Sequence, residues 1–302
     1  MTKQEQIAKL KQEKNAVILA HYYTPSEVQE IADYIGDSYF LSKKAVELDN
    51  DIIVFAGVSF MGESAKLLNP GKKVIMPDMT ADCPMAHMVT KEVVDEARKK
   101  YDDLAVVCYI NSTAEIKSWS DVCVTSANAV KIVSKLPNKH ILFIPDKNLA
   151  HYVAQKVPDK EFVYNEGFCP VHEHMKAEEV TELVSKYPDA PVLAHPECNS
   201  EVLKSAAYIG STSGIIEYVK NNKANEYIIC TEVGVEHALK KARPEAEYYF
   251  PETTPLCPDM KLNTLDKIIE ALEKENNQVP VMDSKVAGSA TKTLEKMLEL
   301  SK

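Results

Sequence analysis

Glycine is scarce in this sequence, with 9 among 302 residues, and tryptophan occurs once. With 45% hydrophobic and 26% charged residues, the composition is that of a globular chain with little room for disorder. No apolar run is long enough to span a bilayer, and the opening stretch "MTKQEQIAKLKQEKN" is charged and amphipathic, without the apolar centre of an export signal. No low-complexity segment or long linker interrupts the chain. Positive charge is in deficit: 35 Lys and Arg against 45 Asp and Glu leave a net charge of −10. Such a surface repels nucleic acid and anionic membranes, so neither is expected as a partner, and an anionic substrate needs local, well-placed donors. Seven cysteines, an odd number without an export signal, predict thiols or metal ligands in a cytoplasmic protein and argue against a disulfide framework.

What the chain does have is a threefold internal repeat. "AVILAHYYTPSEVQEIADYIGDS", "LAVVCYINSTAEIKSWSDVCVTS" and "APVLAHPECNSEVLKSAAYIGST" share one pattern of apolar run, polar turn, short helical stretch and second apolar run. His21, Tyr109 and His195 each stand 17 residues before a hydroxyl, Ser38, Ser126 and Thr212. A glutamate follows each leading residue at six residues (Glu27, Glu115, Glu201), and a polar side chain at two (Tyr23, Asn111, Glu197). A Cys-Pro dipeptide closes each copy, with Cys83, Cys169 and Cys257 lying 62, 60 and 62 residues after the leading residue.

Short apolar runs alternating with helix-length segments predict βαβ units and a parallel sheet in every copy. Each copy reads β-α-β-α-β-α-β, with the Cys-Pro at the end of the fourth strand and a connecting helix behind it. The expected fold is α/β: three homologous small parallel-sheet domains in a pseudo-threefold arrangement around a central active site. The expected boundaries are 1–101 with an N-terminal helix, 102–188, 189–277, and a helical C-terminal tail over 278–302.

In open parallel sheets, ligands bind beyond the carboxyl ends of the strands. The leading residues, the hydroxyls and the cysteines all fall at that edge, so three copies meeting on an axis collect one cysteine and one helix N-terminus each. "GSTSG" at 210–214 is the clearest anion site, with hydroxyls and glycine entering a helix whose free N–H groups favour a phosphate or carboxylate; an ordinary helix cap is the alternative. Three readings stand for the cysteines: a three-thiolate zinc site, three of the four ligands of an iron–sulfur cluster, or unrelated buried thiols. Spacings of 86 and 88 residues suit one ligand per domain around a large cluster better than the close pairs of zinc sites. "CPVHEH" at 169–174 also resembles a local zinc site, against which His172 and His174 are supporting or surface histidines. Cys108, Cys123, Cys198 and Cys230 fit no common position and are expected to be structural.

The motifs "LAHYY", "GDS", "YIN", "TSAN", "HPEC" and "IGSTSG", with the three single cysteines in order, make the chain similar to the quinolinate synthase A family of NAD biosynthesis over essentially its whole length. The resemblance implies condensation of iminoaspartate with dihydroxyacetone phosphate to quinolinate, with loss of phosphate and two waters. It implies one [4Fe–4S] cluster per chain on Cys83, Cys169 and Cys257, whose open iron acts as a Lewis acid. The binding set it implies is His21, Ser38, Tyr109, Asn111, Ser126, His195, Glu197 and Thr212, with Tyr23 and Ser211 lining the same pocket. L-aspartate oxidase or aspartate dehydrogenase is the transient partner it suggests. "LCPDMKLN" carries Cys257 alone, so the C-terminal C-x-x-C switch of some relatives is not expected.

Within that set Glu197 is the candidate general acid/base, being the one carboxylate two places after a leading residue. His195 and Tyr23 would move protons, and Tyr109 with Asn111 would orient a dicarboxylate. Glu197 could instead hold His195 in one tautomer. A different cluster-dependent hydro-lyase and a non-catalytic iron–sulfur sensor are the competing functions, and the acidic balance weighs against a sensor that binds nucleic acid.

Overall fold

Runs such as "AVILAH" and "LAVVCY" are buried at every position, as expected of parallel strands covered by helices on both faces. The computed structural model describes residues 1–253 and 255–302. Twelve strands among them form three four-stranded sheets, all parallel. The first holds β1 (Ala16–His21), β2 (Tyr34–Gly36), β3 (Ile52–Ala56) and β4 (Lys73–Ile75). The second holds β5 (Leu104–Tyr109), β6 (Val122–Val124), β7 (His140–Ile144) and β8 (Glu161–Tyr164), and the third β9 (Val192–Ala194), β10 (Tyr208–Ile209), β11 (Glu226–Cys230) and β12 (Glu247–Tyr249).

Every sheet has its second strand at one edge, then the first, third and fourth. The chain therefore leaves the first and third strands in opposite directions, and a crevice opens beyond their carboxyl ends. The expected α/β fold of three repeated parallel sheets is the observed one.

The connecting helices show how the repeats join. Lys91–Lys100 packs on β5 and Ala177–Lys186 on β11, each against the sheet that follows it in sequence. The third, Leu265–Lys274, has no following sheet and packs instead on β3 and on the N-terminal helix Lys3–Glu13. Its Leu265, Ile268 and Leu272 share a buried cluster with Ile7, Ile18 and Ile52, which closes the three repeats into a ring. The last helix, Ser284–Leu300, buries Ala290, Leu294 and Met297 against β6 and the helices Ala114–Ser118 and Ser59–Leu68. Among the described residues no helix is long and apolar enough to cross a membrane.

Two local expectations are corrected. The cysteines do not end the fourth strands but follow them by 8, 5 and 8 residues, each on a loop that turns at the proline into a short helical segment. Ser38 and Thr212 are first residues of helices, but Ser126 is not: a turn closed by Asn128, whose side chain accepts the Thr125 N–H at 2.6 Å, delays that helix to Ala129.

Candidate active site

The three carboxyl-terminal edges surround one cavity of about 160 Å³. Its wall includes His21, Tyr23 and Ser38 from the first repeat, Tyr109, Asn111 and Ser126 from the second, and His195, Glu197 and Thr212 from the third. Cys83, Cys169 and Cys257 line it as well. Ser211 does not. It is the N-cap of Thr212–Asn221, and its hydroxyl accepts the Gly214 N–H at 3.2 Å.

The repeat reappears as geometry. The His21 Nδ1 accepts the Tyr23 N–H at 3.1 Å, and the His195 Nδ1 accepts the Glu197 N–H at 3.3 Å. An acceptor at Nδ1 puts the proton of a neutral ring on Nε2, and the His195 Nε2 lies 3.2 Å from the Ser126 hydroxyl. Burial, with the neighbouring ring of His195, lowers His21 to about 3; burial lowers His195 to about 4 against the opposing pull of Glu197. Both rings are neutral donors at pH 7.

Glu197 is the hub. Its Oε1 accepts the Tyr109 hydroxyl at 2.6 Å and lies 3.4 Å from the Asn111 amide, while Oε2 is 2.8 Å from the His172 Nδ1. Burial alone would push this carboxyl up, but the His195 and His172 rings beside it and the hydrogen bonds from His172 and Tyr109 hold it well below the usual carboxylate range. Burial, then the Glu197 charge, pushes the Tyr109 and Tyr23 phenols well above their ordinary value, so both stay protonated.

From His172 a chain of hydrogen bonds crosses the cavity wall. The His172 Nε2 is 3.0 Å from the Thr231 hydroxyl, which is 2.7 Å from the Tyr23 hydroxyl, itself 2.7 Å from that of Thr212.

The model of the family described as Quinolinate synthetase A protein matches residues 5–299. The chain belongs to the quinolinate synthase A family. The "Quinolinate synthase" of Fusobacterium nucleatum is 54% identical over 297 residues, covering 98% of this chain and 99% of that protein. That of Clostridioides difficile is 50% identical, covering 92% and 91%, and that of Aquifex aeolicus 47% identical, covering 99% and 94%. Membership makes the chain an enzyme.

Its donor set suits a metal group. Cys169, His172 and Glu197 bring three ligand atoms within 4.8 Å of one another, a set able to hold a metal ion. Burial pushes the Cys83 and Cys169 thiols up and Cys257 to about 11. A thiol kept from ionising by a dry wall is able to serve as a ligand when a cationic centre repays its desolvation. Asp37 Oδ2, Asn111 Oδ1 and Thr125 Oγ1, also in the wall, are buried without a hydrogen-bond partner, which marks a site completed by a ligand.

His172 and His174 part company. His174 is exposed, and its ring lies 6.0 Å from that of Phe168. His172, 1% exposed, is three residues after Cys169 on the short helix Pro170–Glu173 and so faces the same way, 3.2 Å from the Cys169 sulfur. Sequence reasoning gave His172 only a supporting or surface place. Its spacing of three from Cys169, one of the three repeated cysteines, was the available signal. Thr231, Glu232 and Lys261 were missed entirely; the repeat offered a signal for Glu232, which matches Asp146 two residues after a third strand, and none for Thr231 or Lys261.

Proposed function

We propose that this enzyme condenses iminoaspartate with dihydroxyacetone phosphate to give quinolinate, phosphate and two waters, in the cytoplasm. The observation that carries the reading is one cavity lined by a cysteine from each repeat together with Glu197 and its hydrogen-bonded partners Tyr109 and His172. Cys83, Cys169 and Cys257 hold one [4Fe–4S] cluster, which when bound supplies a Lewis acid for a substrate hydroxyl or carboxylate.

The protein's own groups do the rest. Glu197, ionised and buried, takes protons, and Tyr109 and Asn111 orient a carboxylate beside it. Neutral His21 and His195 donate through Nε2–H. His172 gives its Nδ1–H to Glu197 and accepts the Thr231 hydroxyl at Nε2, so protons pass between Tyr23 and Glu197 through Thr231 and His172 without charge separation.

The helix N-termini bind the anionic ends of the substrates unequally. That of Ser38–Glu47 is capped by Asp37, whose carboxylate already takes the Phe40 N–H at 3.0 Å. That of Thr212–Asn221 is capped by the neutral Ser211. A phosphate is therefore favoured in the third repeat, with Thr212, and Ser38 contributes its hydroxyl alone. L-aspartate oxidase or aspartate dehydrogenase is the partner that fits the substrate, and the three repeats are read as domains over 1–101, 102–188 and 189–277 with a 278–302 tail.

The test is iron, acid-labile sulfide and zinc content of protein purified without oxygen, followed by a quinolinate assay. About four irons and four sulfides per chain, with quinolinate formed only when dihydroxyacetone phosphate is present, is the expected result. Stoichiometric zinc without sulfide would make Cys169, His172 and Glu197 a zinc site and overturn the proposal.

A further inference from the structure

In two repeats a carboxylate grips the backbone of the cysteine that faces the cavity. The Asp82 Oδ1 accepts the Cys83 N–H at 2.8 Å, and the Glu232 Oε1 accepts the Cys257 N–H at 3.0 Å. Glu232 stands two residues after β11, the place that Asp146 holds after β7 and Val58 after β3. Asp146 also lies against the amide of its cysteine, Cys169.

Glu232 differs in what else it holds. It is fully buried, its Oε2 accepts the Gly234 N–H at 2.7 Å, and its Oε1 is 2.8 Å from the Lys261 ammonium. Lys261 also donates to the Tyr23 carbonyl at 2.6 Å. The packing is close: a Cβ at Gly234 would sit 2.8 Å from the Tyr23 Cα and 2.9 Å from the Lys261 Nζ. The segment behind Cys257 makes two more ties to the first repeat, from the Asp259 carboxylate to the Asp82 N–H at 3.3 Å and from the Asn263 amide to the Gly57 carbonyl at 3.0 Å.

We infer that Glu232 and Lys261 form a positioning pair that sets the third cysteine and Tyr23 relative to each other. One buried carboxylate fixes the Cys257 amide. The ammonium that neutralises it fixes the backbone of the tyrosine whose hydroxyl reaches Thr231 and Thr212. The two halves of the site, metal-holding and proton-moving, thus share one ion pair across the seam between the third and first repeats. Helix packing alone would allow these loops to slide; a buried charge with a single counter-ion does not.

The inference rests on the cluster reading. It is tested by iron release to a chelator from anaerobically loaded enzyme, with kcat and KM measured on the same preparations, for Glu232→Gln, Lys261→Met and the double variant. Groups that orient metal ligands typically change metal affinity or activity by about 10–100-fold. Each single variant is therefore expected to release iron roughly 10–100-fold faster and to lose kcat with KM little changed. The double variant should be no worse than the poorer single, because the two residues act as one unit. It also removes both charges together, so it keeps the test open if Lys261→Met alone leaves an unpaired carboxylate that prevents folding. Release within twofold of wild type, or single effects that multiply in the double variant, would overturn the inference. Wild-type enzyme without iron and sulfide would instead overturn the cluster reading beneath it.

Discussion

Replacing Glu197 by glutamine tests the centre of the proposed mechanism. The substitution keeps the shape but removes the charge and replaces one acceptor oxygen with a donor. Glu197 accepts from Tyr109 at 2.6 Å and from His172 at 2.8 Å, and hydrogen bonds to a charged group contribute about 1.5–3 kcal/mol each. Both charge-assisted bonds are lost, and the partner facing the new NH2 must accept where it now donates. A positioned acid or base contributes roughly 10²–10⁴-fold to rate, or about 2.7–5.4 kcal/mol of barrier at 1.36 kcal/mol per tenfold. In anaerobic assays of quinolinate formed from both substrates, kcat should fall at least about 100-fold. Iron and sulfide should match wild type, since the proposed ligands are three other residues. Turnover within threefold of wild type would refute the role of Glu197 as the group that takes the proton. Loss of iron with turnover would instead make Glu197 a metal ligand and refute its separation from the cluster.

Two further outcomes follow from the same geometry. His172→Phe breaks the link between Thr231 and Glu197 and removes the 3.2 Å contact to the Cys169 sulfur, but leaves all three cysteines in place. It should lower kcat by about 10–100-fold at unchanged iron content, and an unchanged kcat would remove His172 from the proton path. Acid should also weaken the apo-protein through its buried imidazoles. His21 and His195 titrate at about 3 and about 4 when folded, against 6.5 when free. The unfolded chain therefore binds more protons than the folded one as pH falls below about 6.5. Between pH 7 and pH 5 each ring should remove about 2 kcal/mol of stability at 1.36 kcal/mol per pH unit. Denaturant unfolding at the two pH values reads the loss, and His195→Asn should reduce it. A midpoint that does not move with pH would contradict the burial of neutral rings.

Much of this was legible in the chain because a threefold repeat carries its own control. One apolar run is ambiguous, but three in the same register, each followed at fixed distances by a polar residue and a hydroxyl and after 60 or 62 residues by a cysteine, required one answer. That answer gave three parallel sheets and placed His21, Tyr109 and His195 at one edge with the three cysteines. The same logic misled where the copies differ locally. Ser126 matches Ser38 and Thr212 in position, yet the Asn128 side chain takes the Thr125 N–H and holds the chain in a turn that only the second copy makes.

The sequence by itself determined which elements form, how many sheets there are and which residues reach the carboxyl edge, because strand and helix periodicity are local properties. Only the tertiary structure decided which of those residues touch. Tyr109 meets Glu197 from 88 positions away, Tyr23 meets Thr231 from 208, and Lys261 meets Tyr23 from 238. No periodicity encodes those distances. The contacts between the third repeat and the first arise because the helix after the third cysteine buries its apolar face on the first sheet and the N-terminal helix.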